Sequence, residues 1–333
     1  MEIMRESIFI SAIRSFFKAF CAVLGIFFAF LPIGFFFYAT STSYDMPVKN
    51  KITIFPDVEG NKKILAANTP AIIRIDICGE IGKRNLNMTT IENQLAEIKE
   101  RWITTTRAKG ILLYINTPGG TVIDSDAIYR MLVHYKEKYK IPIHAYVDGL
   151  CASGGMYVAC AASKIEASPT SIIGSIGSRF GPFFNITEVL NKWGIKALTI
   201  TDGTNKDMLN PVRPWEKDED KCLKAINHYV YQRFVDIVVA NRKNLSKEKL
   251  IKEYGAQVFD AVKAAELGYI DNGNSCYELA LKNLLKAAHV NEKAPYQVIG
   301  VKAKHNFISD LLEEKFSFLD KKSTNLFYYL YQP

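Results

Sequence analysis

No two of the six cysteines in this 333-residue chain stand at C-x-x-C spacing, which argues against a zinc ribbon or a thioredoxin-like redox pair. Histidine is scarce, with five in all, and none lies between Ser153 and His228. The G-x-S-x-G elbow of serine hydrolases is missing, because Cys151 stands where its first glycine would be. Zinc-finger, helix-turn-helix and RNP-like patterns are absent too. The formal charge of +8 comes from lysines and arginines scattered among acids, so it reads as solvated surface and no nucleic-acid partner is expected. No charge interrupts residues 19–39, AFCAVLGIFFAFLPIGFFFYA.

That uncharged run is long enough to cross a bilayer, which takes about 20 residues as a helix. A cleaved signal peptide is the competing reading; its apolar core is usually about 7–15 residues, although Ala39-Thr40-Ser41 resembles a small-residue cleavage site. A retained single-pass anchor is expected. Arg5, Arg14 and Lys18 precede it, and Lys49 and Lys51 follow; this bias leans towards a cytoplasmic N-terminus. The organisation expected is an N-terminal segment (1–18), an anchor (19–39), a linker and lead-in segment (40–70), a main domain (71–288) and an amphipathic, aromatic tail (289–333).

Three apolar, β-branched runs suit buried strands: AIIRIDICG (71–79), GILLYIN (110–116) and IPIHAYVDG (141–149). Helical patterns separate them. The first, MTTIENQLAEIKERWI, offers Thr89 or Thr90 as N-cap; the second, VIDSDAIYRMLVHYKEKY, puts Ile123, Ala127, Ile128, Met131 and Leu132 on one face. This β-α-β-α-β order implies an α/β fold with parallel strands and right-handed crossovers. Further strands are expected at 164–168 and at IKALTI (195–200). A helix around NITEVLNKWG lies between them, and a long helix follows over 216–244 with Leu223, Ile226, Val230, Phe234, Ile237 and Val238 on its apolar side. Short helices follow at KEKLIKEYG, at DAVKAAELG (closed by Gly268) and over 276–288.

The junction of the third strand with an alanine-rich helix reads VDGLCASGGMYVACAAS, with Ser153, Gly154 and Gly155 at its centre. A serine there is either a small capping residue or a nucleophile. A nucleophile that attacks a carbonyl needs backbone N–H donors aimed at the oxyanion. Gly154 offers one, and Gly120, in INTPGG at the end of the second strand, offers another. Ligands collect at the carboxyl ends of parallel strands, which brings those two ends together. The proton acceptor is harder to choose. His134 lies on a helix and His144 inside a strand. A lysine of lowered pKa serves in serine–lysine pairs, but spacing does not choose among so many.

INTPGGTVIDSDAIY, VDGLCASGGMYVACAASKIEASPTSIIGSIGS, DGTNKDMLNPVRP and VFDAVKAAELGYIDNG occur in this order. Together, over about residues 71–273, they resemble the signal peptide peptidase A family, membrane-bound serine–lysine peptidases with a ClpP/crotonase-like fold of repeated β-β-α units. The resemblance implies that Ser153 is the nucleophile, that Lys206 in GTNKD is its general base, 53 residues on, and that Ser175 in GSIGS orients the lysine amine. It implies an oxyanion hole of Gly120 and Gly154, no metal or cofactor, and peptide substrates of the cleaved-signal-peptide type. It also implies a homo-oligomer, an octameric ring whose sites take serine and lysine from adjacent protomers, on the outer side of the inner membrane. GTNKD departs from the family's G-K-Y-K-D by losing its first lysine and its tyrosine; GSIGS departs from a pattern that usually continues with Val; and Ala-Val-Lys replaces a Gly-Arg-like pair. The alternatives are an inactive scaffold of this fold and a crotonase-like acyl-CoA enzyme. A ClpP-type peptidase needs a histidine after the nucleophile in an interval that has none.

Overall fold

The computed structural model describes residues 8–41, 50–62, 64–83, 85–303 and 327–330. The chain divides into two compact units, one of residues 1–49 and 305–319, the other of 50–304 and 320–333.

In the first unit, helix α1 runs over Ile8–Ser41. Within it, the 21 residues of Ala12–Pro32 form a stretch long and apolar enough to cross a membrane. At 1.5 Å per residue that stretch spans about 31 Å, the thickness of a hydrocarbon core. Its side chains are exposed along their length, as a lipid-facing helix requires. The FISDLLEEKFSFLDKK part of the tail lies outside the described residues.

The second unit is built on strands that the sequence marks as apolar on both faces. In chain order they and their helices are β1 (Asn50–Phe55), β2 (Ala71–Cys78), α2 (Met88–Ile98), β3 (Ala108–Thr117), β4 (Gly119–Thr121), α3 (Val122–Tyr139), β5 (Ile143–Ala152), α4 (Gly154–Ala159), β6 (Lys164–Ala167), β7 (Ile172–Gly174), β8 (Arg179–Phe180), α5 (Thr187–Lys192), α6 (Lys221–Asn241), α7 (Lys247–Lys249), β9 (Val258–Asp260), α8 (Ala261–Glu266), α9 (Tyr277–Ala287), β10 (Gln297–Ala303) and β11 (Phe327–Leu330). The large sheet has the order β1-β10-β2-β3-β5-β7-β9, with β6 also paired to β5. Pairs β10·β2, β2·β3, β3·β5, β5·β6 and β5·β7 are parallel; β1·β10 and β7·β9 are antiparallel. The expected α/β fold with a mostly parallel sheet is therefore present. The sheet also takes in β1 and β10, which lie outside residues 71–288.

Register explains the core. Ile73, Ile111 and Ile143 align across three strands, and Ile77, Ile115 and Val147 do the same one end further. This face packs with Ile91, Leu95 and Ile98 of α2 and with Ile128 and Leu132 of α3. The opposite face, with Ile72, Leu112 and Tyr146, is covered by Ala280, Leu281, Leu284 and Leu285 of α9. Each such aliphatic side chain stabilises the fold by about 1.5–3 kcal/mol through burial.

Several local expectations differ from the structure. The N-cap of α2 is Asn87, whose side-chain oxygen accepts from Thr90 N; neither Thr89 nor Thr90 caps it. Ile123 faces outward, and Asp124 and Ser125 are buried in its stead, because Asp124 accepts from Thr121 Oγ1 and from Met88 N. IKALTI (195–200) forms no strand, since no neighbouring strand edge is offered to it among the described residues, and it lies exposed. The long helix starts at Lys221; its first half, with Ile226 exposed, is largely unburied; Phe234, Val235 and Val238 are fully buried, and Val230 and Ile237 pack against the core half-buried.

Candidate active site

β3 and β5 are in regular parallel register as far as Ile115↔Val147, and the next pair is Thr117↔Cys151. Two extra residues of β5 are absorbed between those pairs, a bulge of the kind that re-aims side chains beside active sites. Asn116 Oδ1 accepts from Leu150 N at 3.1 Å and Ser171 Oγ from Gly149 N at 3.1 Å, which holds the bulge. Cys151 and Ala152 then resume pairing, with Ile173 and Gly174 of β7. Ser153 N donates to Gly174 O at 2.8 Å, and Ser153 O accepts from Tyr157 N to start α4.

Ser153 itself has φ 56° and ψ −118°, a conformation that a side-chain-bearing residue adopts at a cost of about 1–3 kcal/mol. It is 1% exposed. The adjoining Gly155 leaves no room for a side chain, since an added Cβ would lie 2.6 Å from Thr117 Cγ2. Gly154 opens α4, so its N–H has no acceptor within the helix.

At the end of β3, Gly119 N donates to Thr117 Oγ1 and Gly119 O accepts from Ile81 N; Thr121 N then donates to Ile81 O. Gly120 is clamped between those two bonds. A Cβ there would sit 1.8 Å from Ile81 O, so only glycine fits. Ser175 follows Gly174 with φ 55°, is 8% exposed, and donates its N–H to Gln257 O at 2.7 Å. The ends of β3, β5 and β7 thus bring Gly120, Ser153, Gly154 and Ser175 into one region.

Lys206 lies in a turn segment and is exposed, with its N–H bonded to Gly203 O. Among the described residues, no hydrogen bond or ion pair joins its ammonium to Ser153. The turn is held from below by a network that sequence reading passed over. Arg213 Nε donates to Asp207 Oδ2 at 2.6 Å, and Arg213 Nη2 pairs with Glu219 Oε1. Glu219 accepts as well from Leu209 N and Glu216 N. The Arg213 guanidinium draws the Glu219 carboxyl down to about 2 and lowers that of Asp207. Arg213 belongs to the quoted DGTNKDMLNPVRP block, so its proximity in sequence was the available signal.

Other titratable groups do not serve. Burial lowers the pKa of Lys136, but its ammonium donates to Ala161 O beyond the far end of α4. His144 is buried near the start of β5, about 25–30 Å of strand from Ser153. Burial raises the thiols of Cys151 and Cys160, the latter to about 12, so both stay protonated and inert. All six cysteines are free, and the described residues hold no metal-binding cluster.

The sequence model of peptidase family S49 matches residues 135–291, and that of Clp protease matches residues 75–173, which carry β3, β5 and β7. A proposed protease of Methanocaldococcus jannaschii is 35% identical over 183 residues, 55% of this chain and 57% of that protein. A proposed signal peptide peptidase of Enterococcus faecium is 30% identical over 230 residues, 67% of this chain and 63% of that one. A proposed protease of Synechocystis sp. is 32% identical over 200 residues, 60% of this chain and 68% of its own length. The chain therefore spans less than two thirds of the first two of these relatives.

Proposed function

The chain belongs to peptidase family S49, and on that premise we propose that it is a membrane-anchored serine endopeptidase working through Ser153 and Lys206. The observation that carries this reading is the strained, buried Ser153 between Gly120 and Ser175 at the carboxyl ends of three strands. Lys206 takes the proton of Ser153 Oγ; the oxygen attacks a peptide carbonyl; and the N–H groups of Gly120 and Gly154 hold the oxyanion. Lys206 then gives its proton to the leaving amine, and water hydrolyses the acyl-enzyme. Each oxyanion donor is worth about 3–4 kcal/mol. Ser175 orients the lysine amine.

As the resemblance implies, the lysine of each site comes from a neighbouring copy; within one chain Ser153 is buried and Lys206 exposed, which accords with that. The segment around Lys206 supports that reading: Trp193 is 78%, Leu198 86% and Ile200 89% exposed, an apolar surface of the kind that meets a partner. The assembly is a ring, octameric as the resemblance implies. α1 anchors it in the inner membrane with the N-terminus cytoplasmic, and its substrates are apolar peptides such as cleaved signal peptides.

That no hydrogen bond joins Lys206 to Ser153 among the described residues also favours a second reading, an inactive scaffold. The full chain in detergent micelles, assayed on casein and on apolar fluorogenic peptides, separates the two. Ser153→Ala and Lys206→Ala each lower kcat by about 10³-fold or more, with the oligomer unchanged by light scattering. An intact ring inert on every substrate favours the scaffold, and cleavage by Lys206→Ala overturns the assignment of the base.

A further inference from the structure

The two glycines assigned to the oxyanion hole reach the site on different elements. Gly120 lies in β4, which runs straight into α3 at Val122, and Gly154 opens α4. α3 and α4 pack on each other, and α4 also packs on β4 and α6. At the contact of α3 with α4 sits a polar cluster that the proposed mechanism does not use. Tyr157 is 0% exposed, and its Oη donates to Asp126 Oδ1 at 2.6 Å. Arg233 of α6 donates to the same oxygen through Nε at 3.0 Å and Nη2 at 2.8 Å. Arg130, one turn further along α3, donates through Nε to Asp126 Oδ2 at 2.7 Å.

We infer that Asp126 is a positioning residue that sets the spacing of the two oxyanion donors, acting through Tyr157. This rests on the reading of Ser153 as the centre of a peptidase site. Three observations converge on it. First, Gly120 is already clamped on Ile81, so what remains to be fixed is the stance of α4. The start of α4 is pinned where Ser153 N meets Gly174 O, and one pinned point leaves the tilt of the helix free. Tyr157 supplies the second point: its N–H bonds to Ser153 O at 3.1 Å, and its hydroxyl bonds to the helix that continues from Gly120. Second, the brace is stiff. The Tyr157 ring stands edge-on to Tyr129, with centres 5.5 Å apart, and lies 5.0 Å from Phe234, so packing fixes the direction of the hydroxyl. Third, the acceptor stays an anion. Burial works against ionisation of Asp126, but hydrogen bonds from Tyr157, Arg233 and Arg130 outweigh it and lower its pKa. Hydrogen bonds to an ionised acceptor are shorter and stronger than neutral ones.

Oxyanion contacts are made in the transition state, so an error in their spacing lowers kcat and leaves KM in place. A displacement of about 1 Å costs up to about a hundredfold in rate.

The test compares Tyr157→Phe, Asp126→Ala and the double variant with the parent, each as the full chain in detergent micelles. Phenylalanine keeps the ring packing and removes the hydroxyl alone. On an apolar fluorogenic peptide, kcat is expected to fall about tenfold in Tyr157→Phe and about ten- to a hundredfold in Asp126→Ala, with KM within about twofold of the parent's. The double variant should be no slower than Asp126→Ala, because both changes break the same bond. A peptide boronic acid, whose adduct with a serine is a tetrahedral anion, should lose affinity by the same factor as kcat. Asp126→Asn keeps an oxygen for the Tyr157 hydroxyl and should regain most of the lost rate. Parental kcat in Tyr157→Phe, a lowered melting temperature with unchanged boronate affinity, or losses that multiply in the double variant each overturn the inference. If the parent cleaves no peptide, the peptidase reading fails by itself, and amide hydrogen exchange over residues 150–160 decides on the brace. Exchange at least about fivefold faster in Tyr157→Phe sustains it, and exchange at the parental rate overturns it.

Discussion

Ser153 and Lys206 sit in opposite physical settings. Ser153 follows a strand buried on both faces, its backbone is pinned to Gly174 O, and its side chain is nearly inaccessible. Lys206 sits in an exposed turn, and the segment before it, 195–200, has no regular structure and shows apolar side chains to solvent. On the proposal that the lysine comes from a neighbouring copy, one half of the site is finished by the fold of a single chain, the other half is supplied on assembly, and peptide hydrolysis is confined to the oligomer.

The sharpest way to break the comparison is to separate the two halves genetically. Ser153→Ala chains and Lys206→Ala chains are each expected to be inactive. Dissociated, mixed in equal amounts and reassembled, they should recover about a quarter of the parent's activity, because a heterologous interface pairs an intact serine with an intact lysine in that share of sites. Activity that stays at the level of either single variant means that both groups of one site come from one chain. Gly120→Ala comes next. It leaves the Lys206 side untouched but places a methyl group on Ile81 O. Its expected effects are a drop in kcat of about 10²–10³-fold and a loss of stability of about 1–3 kcal/mol from overpacking. Stopped-flow burst amplitudes and urea denaturation read the two separately.

The same contrast governs what was legible in the sequence. The strands at 71–78, 108–117 and 143–152 stand out because burial on both faces demands uninterrupted apolar residues, and their ends point to Gly120 and Ser153. IKALTI has the same apolar look but pairs with no strand among the described residues, so its pattern does not report its conformation. Ile123 and Ile226 likewise carry apolar periodicity into solvent. The bulge of β5 leaves no periodic trace, although it is what sets Cys151, two residues before Ser153, opposite Thr117. Lys206 was singled out by family resemblance alone, since exposed lysines look alike. The Arg213 network escaped because ion pairs six residues apart in a turn follow no repeat.

Arg213→Ala sharpens the comparison from the exposed side. It removes the guanidinium that joins Asp207 and Glu219 beneath the Lys206 turn. Misplacement of a catalytic group by about 1 Å costs up to about a hundredfold, so kcat/KM is expected to fall roughly ten- to a hundredfold. Thermal stability should change little, because the pair lies outside the core. Arg213→Lys keeps the charge but loses the two-pronged geometry and should restore only part of the activity. A large fall in melting temperature would instead make Arg213 a folding residue.

The smallest effect belongs to the buried side and to pH. His144 is 6% exposed, and its Nδ1 has no hydrogen-bond partner among the described residues. Burial lowers its pKa from the ordinary 6.5; nearby Lys164 adds to that, while Glu166 and Asp271 oppose it. In the unfolded chain the imidazole takes a proton as pH falls through about 6.5, whereas in the folded chain it resists. The unfolded state then binds more protons, so stability is complete above that range and declines as pH falls below it. Because Glu166 works against the shift, the decline is modest. It is read as the fall in urea midpoint between about pH 7.5 and about pH 5.5 in the parent relative to His144→Gln, which cannot titrate. A parent and variant that fall in parallel would place the acid sensitivity in other groups. A steeper fall in the parent would show that the strand leading to Ser153 is kept intact by a neutral imidazole, with no part in the proton transfer at the strand's other end.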